Sequence, residues 1–215
     1  MGGTSILQTG GLVTTGFPTC NILEINNFTQ LTNAPNGNFN TVTFTSANNN
    51  FLGDFGVTTS GNMTFTNANT FEGNNSFISG GQITMTAGGN TFSSPTNATT
   101  IIRNGGGGIT WGQGNTFGNL TLTDNSTSTL TMQGGNTFNG NTLITNNSNT
   151  NLRFANTLGD TFNGPVTFQN NGTAFMDIAY RGANTFAQQI TINNSAPTGE
   201  VRFGELGGTS VLQSG

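Results

Sequence analysis

Without histidine or lysine, general acid–base chemistry in this chain would fall to its carboxylates. Its 215 residues include four arginines and eight acidic residues, with neither histidine nor lysine. The acidic residues are Glu24, Asp54, Glu72, Asp124, Asp160, Asp177, Glu200 and Glu205. General acid–base catalysis needs proton-transfer groups held close together, and only Glu200 and Glu205 are near each other in sequence. We therefore predict no catalytic residues and a protein that is not an enzyme.

Metal and phosphate sites have no support in the residue spacing either. The calcium-binding nonapeptides of β-roll proteins need an aspartate that recurs after paired glycines, and no such aspartate recurs here. The glycine run at residues 105–108 lacks the Lys-Ser/Thr that completes a phosphate-binding loop. We predict a turn at these glycines, no metal site and no cofactor.

One charged set is regularly spaced. Arg153, Asp177 and Arg202 each lie nine residues before one of the recurring anchor positions described below. In stacked turns they would occupy one outward position in three adjacent turns, as a +, −, + ladder worth a few tenths to about 1 kcal/mol per pair. Setting the register is the role that we expect, and contact with a ligand is the alternative.

Outward threonines predict a second ladder. The Thr-x-Thr pairs are Thr43 and Thr45, Thr64 and Thr66, Thr84 and Thr86, and Thr129 and Thr131. Flat Thr-x-Thr arrays resemble the ice-binding faces of small β-solenoids. Here the array is interrupted at Trp111 and gives way to the charged ladder in the last turns. An ordinary β-branched strand surface is our main interpretation, and a glycan- or ice-binding Thr/Asn face is the alternative.

The charge balance excludes several partners. The formal net charge is −4, and 6% of the residues are charged. Nucleic acids and anionic membranes attract clustered Lys and Arg, which four scattered arginines do not provide. No run approaches the ~18 apolar residues of a membrane span, so we predict no membrane insertion. Cys20 is the only cysteine, which excludes an internal disulfide. We expect a small buried apolar side chain there, and an intermolecular or reactive thiol is the alternative.

The element around which the chain is organised is the motif Asn-Thr-Phe-x-Gly, seen in full at residues 136–140. The anchor phenylalanines of its close and looser copies are Phe28, Phe51, Phe71, Phe92, Phe117, Phe138, Phe162 and Phe186. Steps of 20 to 25 residues between them are typical of solenoid turns. Because inward residues of successive turns lie ~4.8 Å apart, we expect the anchor rings to stack in one column.

Short alternating segments surround each anchor. One apolar-x-apolar triplet follows it by about four residues, as at 120–122, and another precedes the next anchor, as at 130–132. Such alternation predicts short strands with one buried face. Asn and Gly between them suit corners, where stacked Asn side chains can hydrogen-bond along the axis. The sequence therefore predicts an all-β parallel β-helix, or β-solenoid, of about nine turns of ~23 residues with three strands each.

The two ends of the sequence match. Gly-Gly-Thr-Ser-Ile-Leu-Gln-Thr-Gly at residues 2–10 returns as Gly-Gly-Thr-Ser-Val-Leu-Gln-Ser-Gly at 207–215. We expect residues 1–215 to form a single β-solenoid unit of a longer tandem array, with the repeat unit at 2–206 and the start of the next at 207–215. Neighbouring units stacked end to end would then be its partners. Ile6 and Val211 serve as degenerate anchors in this division.

The Asn-Thr-Phe-x-Gly rhythm, the apolar-Thr-apolar strands, the very low charge and the long tandem unit resemble the repetitive stalk regions of giant secreted bacterial surface adhesins. The adhesin filaments of gliding Bacteroidota are similar in these respects. The resemblance implies a structural and adhesive role at the cell surface, with surface glycans as further partners. Residues 1–5 show no export signal, so the chain is either cytosolic or a piece whose export signal lies elsewhere, and the resemblance implies the second.

Overall fold

The computed structural model describes residues 5–7, 20–25, 28–31, 36–44, 49–85, 88–92, 96–106 and 110–213, with side chains within 41–44, 49–85, 88–92, 96–106 and 111–213. These residues form no helix. Their parallel strands stack as a β-solenoid of about 7 turns of about 22 residues. The predicted all-β parallel solenoid is confirmed.

Within the described residues the strands are short and numerous. They are β1 (Ser5–Leu7), β2 (Cys20–Ile25), β3 (Phe28–Leu31), β4 (Asn36–Phe44), β5 (Asn49–Phe51), β6 (Phe55–Thr59), β7 (Met63–Phe65), β8 (Asn69–Phe71), β9 (Asn75–Ser79), β10 (Ile83–Met85), β11 (Thr91–Phe92), β12 (Ala98–Arg103), β13 (Thr110–Trp111), β14 (Thr116–Phe117), β15 (Asn119–Asp124), β16 (Leu130–Met132), β17 (Thr137–Phe138), β18 (Thr142–Asn146), β19 (Leu152–Arg153), β20 (Thr161–Phe162), β21 (Val166–Asn170), β22 (Met176–Ala179), β23 (Ala183–Phe186), β24 (Ile190–Asn194), β25 (Val201–Phe203) and β26 (Thr209–Leu212).

Three faces run along the solenoid. The first face is a 10-stranded parallel sheet that carries the anchors, in the order β1-β3-β5-β8-β11-β14-β17-β20-β23-β26. The second face is formed by β6, β9, β12, β15, β18, β21 and β24, and the third by β7, β10, β13, β16, β19, β22 and β25. The long strand β4 joins the second and third faces into one sheet, because residues 36–39 pair with β6 and residues 42–44 pair with β7.

The number of turns differs from the nine that the sequence predicts. Seven turns begin in succession with β5, β8, β11, β14, β17, β20 and β23. Each contributes one strand to each face, as predicted. The difference lies at the N-terminal end, where the predicted first turns fall between residues 6 and 50 and include most of the gaps in the described residues.

The core is a continuous apolar column between the three faces. In β9, Asn75, Phe77 and Ser79 are buried, whereas Ser76 and Ile78 are half-buried. This is the two-residue period of a strand with one face inward. The buried apolar side chains of successive turns form one cluster, so each turn completes its burial only by stacking on its neighbours.

Seven of the predicted anchor rings form a stacked file inside this core. Successive ring centroids lie 4.5 to 5.3 Å apart, with interplanar angles between 1° and 10°. The stacked residues are Phe51, Phe71, Phe92, Phe117, Phe138, Phe162 and Phe186. Each is at most 2% exposed. Ring stacking therefore adds to the hydrophobic burial along the axis.

Phe28 does not take the equivalent position in the sheet. Leu31 pairs with Phe51 in the parallel register between β3 and β5. The step from Leu31 to Phe51 is 20 residues, the same as the step from Phe51 to Phe71, so Leu31 preserves the turn length that Phe28 would lengthen by three residues. The side chain of Phe28 lies outside the described residues.

Candidate functional site

A column of buried polar side chains runs beside the anchor rings. It consists of the residue two positions before each anchor, namely Asn49, Asn69, Asn90, Asn115, Asn136, Asp160 and Asn184, each at most 1% exposed. We call this column the amide ladder. Oδ1 of Asn136, for example, accepts the backbone N–H of Asn115 at 3.1 Å and its Nδ2 at 3.0 Å. The ladder therefore satisfies buried polar groups along the axis.

Asp160 occupies one position of the amide ladder. Its Oδ1 accepts hydrogen bonds from the backbone N–H and Nδ2 of Asn136, at 2.9 and 3.1 Å. Its Oδ2 takes the place of an asparagine Nδ2 and is buried without a hydrogen-bond partner of normal geometry. Burial raises the pKa of this carboxyl to about 7, against the lowering influence of the N–H groups of Asn136 and Ala155.

A buried ion pair closes the second face at its strand ends. Arg103 and Asp124 pair in register between β12 and β15. Nε and Nη2 of Arg103 lie 2.9 and 3.1 Å from the two carboxylate oxygens of Asp124, and both side chains are 0% exposed. Ser126 Oγ and the Ser128 carbonyl oxygen also accept from Arg103. Both buried charges are therefore paired, as their desolvation requires.

Sequence analysis did not bring Arg103 and Asp124 together. Each stands two residues after the inward apolar residue of its strand, at the position held by Asn146 and Asn170 in the next turns. Nδ2 of Asn146 donates to Oδ1 of Asn170 at 3.0 Å. Alignment of the strands turn by turn would have revealed this second polar column.

The predicted charge ladder is in register on the third face. Arg153 pairs with Asp177 between β19 and β22, and Asp177 pairs with Arg202 between β22 and β25. Nη2 of Arg202 lies 2.7 Å from Asp177 Oδ1, and Nε of Arg153 lies 3.4 Å from Oδ2. The sequence analysis placed all three side chains outward, which is wrong for Asp177. Its side chain is 0% exposed, whereas the side chains of Arg153 and Arg202 are 29% and 24% exposed. The two guanidiniums on neighbouring turns cover the carboxylate from both sides.

Arg202 makes further contacts outside the ladder. Its Nη1 lies 3.0 Å from Oε1 of Glu205, and its guanidinium lies 3.9 Å from the ring centroid of Phe175. Each contact restricts the Arg202 side chain. Arg202 is therefore more firmly held than Arg153.

The ring of Tyr180 lies close to the guanidiniums of Arg153 and Arg181. The guanidinium carbon of Arg153 lies 4.6 Å from its ring centroid, and that of Arg181 lies 5.3 Å away. Both distances fall within the ~6 Å range of cation–π attraction. Sequence analysis assigned no role to Tyr180 or Arg181, since neither belongs to a repeating position.

The strand register aligns two files of threonines. On the third face, the backbone register aligns Thr43, Thr64, Thr84, Thr110 and Thr131. A file that the sequence analysis missed lies on the first face, and its members are Thr70, Thr91, Thr116, Thr137, Thr161 and Thr185. Thr45 and Thr86 lie outside the described residues.

The remaining acidic residues are dispersed. Asp54, Glu72 and Glu200 are exposed, while the side chains of Glu24 and Cys20 lie outside the described residues. In the part of the chain that the structure describes, no three Asp, Glu, Cys or His side chains are grouped so as to hold a metal ion. Gly105 and Gly106 form a bend, and the next two glycines of the run lie outside the described residues.

No family model matches this chain, and neither the curated proteins nor the solved structures compared with it give a significant match. In the described ranges we find no helix with the length and apolar character needed to cross a membrane. The function is therefore argued from the ladders and the surface of the solenoid.

Proposed function

We propose that this chain is a structural and adhesive extracellular rod, and one repeat unit of a long cell-surface filament. The observation that carries the proposal is the common axis of its parallel faces, anchor rings and amide ladder. Every turn adds backbone hydrogen bonds and stacked rings to the next, so the free energy of folding accumulates along the rod. Such a body is stiff and gives proteases few exposed openings.

Continuation of the rod by further units is supported by the two matching ends. Residues 2–10 and 207–215 contain strands β1 and β26, which belong to the same face. Leu212 pairs with Phe186 and takes the anchor position there, in place of Val211, which the sequence analysis assigned to it. The second copy of the segment thus adds a strand to the solenoid.

The last described turn offers an apolar surface for a following unit. Ile192, Phe203, Leu206 and Leu212 are 40% to 69% exposed. Ile192 pairs with Phe168, which is 0% exposed beneath it. An apolar sheet edge of this kind favours association. We propose that the first turn of the next unit covers it.

A two-copy fusion tests the rod. The chain would carry residues 2–206 twice, followed by 207–215, and small-angle X-ray scattering would measure its maximum dimension. The seven described turns at ~4.8 Å per turn extend about 34 Å, so the fusion should reach at least twice that length as one rigid rod. Two bodies joined by a flexible hinge would contradict the proposal.

The surface location and the adhesive role have their own test. Antibody against this segment should label intact source cells, and removal of the segment from the genome should reduce their attachment to surfaces. These expectations rest on the low charge and tandem repetition described above. Labelling only after the cells are opened would contradict the extracellular location.

A glycan- or ice-binding face is the second candidate, favoured by the in-register threonines of the first face. Regular hydroxyls about 4.8 Å apart form a flat polar surface. Ice-crystal shaping and glycan-array binding by the purified chain would test it. Unchanged crystals together with an array that shows no bound glycan would remove this candidate.

A further inference from the structure

The corner between the third and first faces is enlarged in the later turns. In one turn, three residues (133–135) lie between the last inward apolar side chain of the third face and the amide ladder. In each of the next two turns there are five (155–159 and 179–183). We call these two five-residue segments the wide corner. Its first residue, Ala155, has a φ of 54°, a left-handed conformation that non-glycine residues rarely adopt.

Most of the chain's positive charge lies at the wide corner and on the strands beside it. Three of the four arginines, Arg153, Arg181 and Arg202, are here, whereas the fourth, Arg103, is buried and paired elsewhere. Tyr180 is the only tyrosine in the sequence, and it contacts two of these guanidiniums. The break in the repeat thus coincides with a distinct chemical composition.

The three arginines differ in the carboxylate contacts that they make. Arg202 is held by Asp177 at 2.7 Å and Glu205 at 3.0 Å. Arg153 makes a single long contact with Asp177, 3.4 Å from its Nε. Arg181 is exposed and has no carboxylate partner within the described residues. Because a guanidinium carries five N–H donors, Arg153 and Arg181 keep donors available to a ligand.

We propose that Arg153 and Arg181, held against Tyr180, bind the carboxylate or sulfate group of an acidic polysaccharide. The planar fork of a guanidinium matches an oxyanion and can donate two parallel hydrogen bonds to it. The Tyr180 ring holds both guanidiniums before the ligand arrives, which reduces the entropy lost on binding. Asp177, which is itself held by Arg202, contacts Arg153 from the adjoining turn.

The polymeric nature of the ligand rests on the proposed filament. The charged side chains linked by the contacts described here are Arg153, Arg181 and Arg202 with Asp177 and Glu205, and their net charge is +1 (3 − 2). That excess is too small for the run of phosphates in a nucleic acid. A filament that repeats this corner in every unit gains avidity from a ligand that repeats its anionic group. An acidic polysaccharide meets this requirement.

Affinity electrophoresis of the whole chain tests the site. Gels would contain polygalacturonate, dextran sulfate or neutral dextran, at low salt and at 0.15 M salt. We expect retardation by at least one acidic polymer, weaker at the higher salt, and none by dextran. The variants R181Q and R153Q/R181Q should bind about tenfold or more weakly. The acidic polymer that retards the chain identifies the anionic group.

The matched control adds negative charge elsewhere. Gln188 and Gln189 are exposed at the corner between the first and second faces, so Q188E matches the charge change of R181Q, and Q188E/Q189E matches that of the double variant. Both controls should bind like the native chain, and R181Q should keep its unfolding temperature. The proposal would be overturned if the controls lost as much binding as the variants or if R181Q bound like the native chain. Retardation by dextran alone, or equally tight binding of single-stranded DNA, would also overturn it. The two-copy fusion carrying R153Q/R181Q should keep its length, which separates failure of the site from failure of the rod.

Discussion

Oδ1 of Asp160 accepts two hydrogen bonds from Asn136, one from the backbone N–H at 2.9 Å and one from Nδ2 at 3.1 Å. A carboxyl group therefore occupies a buried position that suits an amide. The next ladder residue, Asn184, accepts from the backbone N–H of Asp160 at 2.7 Å. In this setting an ionised Oδ2 has nothing to donate, whereas a protonated Oδ2 supplies the donor that Nδ2 provides elsewhere in the ladder.

We expect Asp160→Asn to stabilise the solenoid at neutral and alkaline pH. The folded pKa of Asp160 is raised from 3.8 to about 7, so its protonated form favours folding. That stability is fully present below about pH 4 and is lost as pH rises towards 7, amounting to on the order of 4 kcal/mol. Urea unfolding of both chains from pH 4 to pH 8 measures the difference, which should grow with pH.

The reverse substitution, asparagine to aspartate at another ladder position, tests whether burial of the ionised carboxyl causes this pH dependence. Asn115→Asp places a second carboxyl in the amide ladder, where Asn115 is 0% exposed. It should leave stability near that of the native chain at pH 4 and lower it at pH 8. If Asp160→Asn gave the same stability gain at every pH, burial of the ionised form would not be the cause.

Breaking the Arg103–Asp124 pair should be costly, and replacing both partners should be much less so. Asp124→Asn leaves a buried guanidinium without its counter-ion and should destabilise the chain by about 3–5 kcal/mol. The double change R103N/D124N extends the asparagine column formed by Asn146 and Asn170, so most of the loss should be recovered. Equilibrium urea unfolding of the single and double variants measures both effects. A double variant less stable than Asp124→Asn would contradict this account.

The contribution of each stacked anchor to the stability of the solenoid should depend on its position in the file. Phe138 is 0% exposed between Phe117 and Phe162, at centroid distances of 5.3 and 4.5 Å. Phe138→Ala should cost about 3–5 kcal/mol, because a cavity opens between two rings. Phe186→Ala is the matched control: beyond it the anchor position is held by Leu212, which is 69% exposed, so the cost should be smaller. Equal losses in thermal or urea unfolding would contradict the dependence on position.

Periodicity was sufficient to predict the solenoid, its three strands per turn and its stacked anchors. Periodicity could not predict the pairing of residues across turns, because the corners between the strands vary in length. Twenty-four residues separate Ser79 from Arg103, but twenty-one separate Arg103 from Asp124, so only the register of the strands reveals the buried pair. For the same reason, Phe28 could not be distinguished from Leu31 by the motif alone.

The wide corner was beyond prediction for a related reason. Tyr180 and Arg181 occur in an insertion that has no counterpart in the shorter turns, so periodic analysis assigns them no neighbours. Asp160 illustrates a different limit. Its place in the motif was visible in the sequence, but the burial that raises its pKa to about 7 depends on the turns above and below it.

Removing the carboxylate from the charge ladder should reveal repulsion between its arginines. Asp177→Asn leaves Arg153 and Arg202 two turns apart with no negative charge between them. Because both arginines are partly exposed, at 29% and 24%, we expect a loss of about 1–2 kcal/mol rather than the larger cost of a fully buried pair. Urea unfolding at 0.05 and 0.5 M salt measures it, and the loss should shrink at the higher salt as repulsion is screened. Arg153→Gln removes the 3.4 Å contact with Asp177 and the packing on Tyr180 but leaves the shorter Arg202–Asp177 contact intact, so it should cost less than Asp177→Asn. If Arg153→Gln were the more damaging, its packing on Tyr180, and not the ladder, would be the main source of stability here.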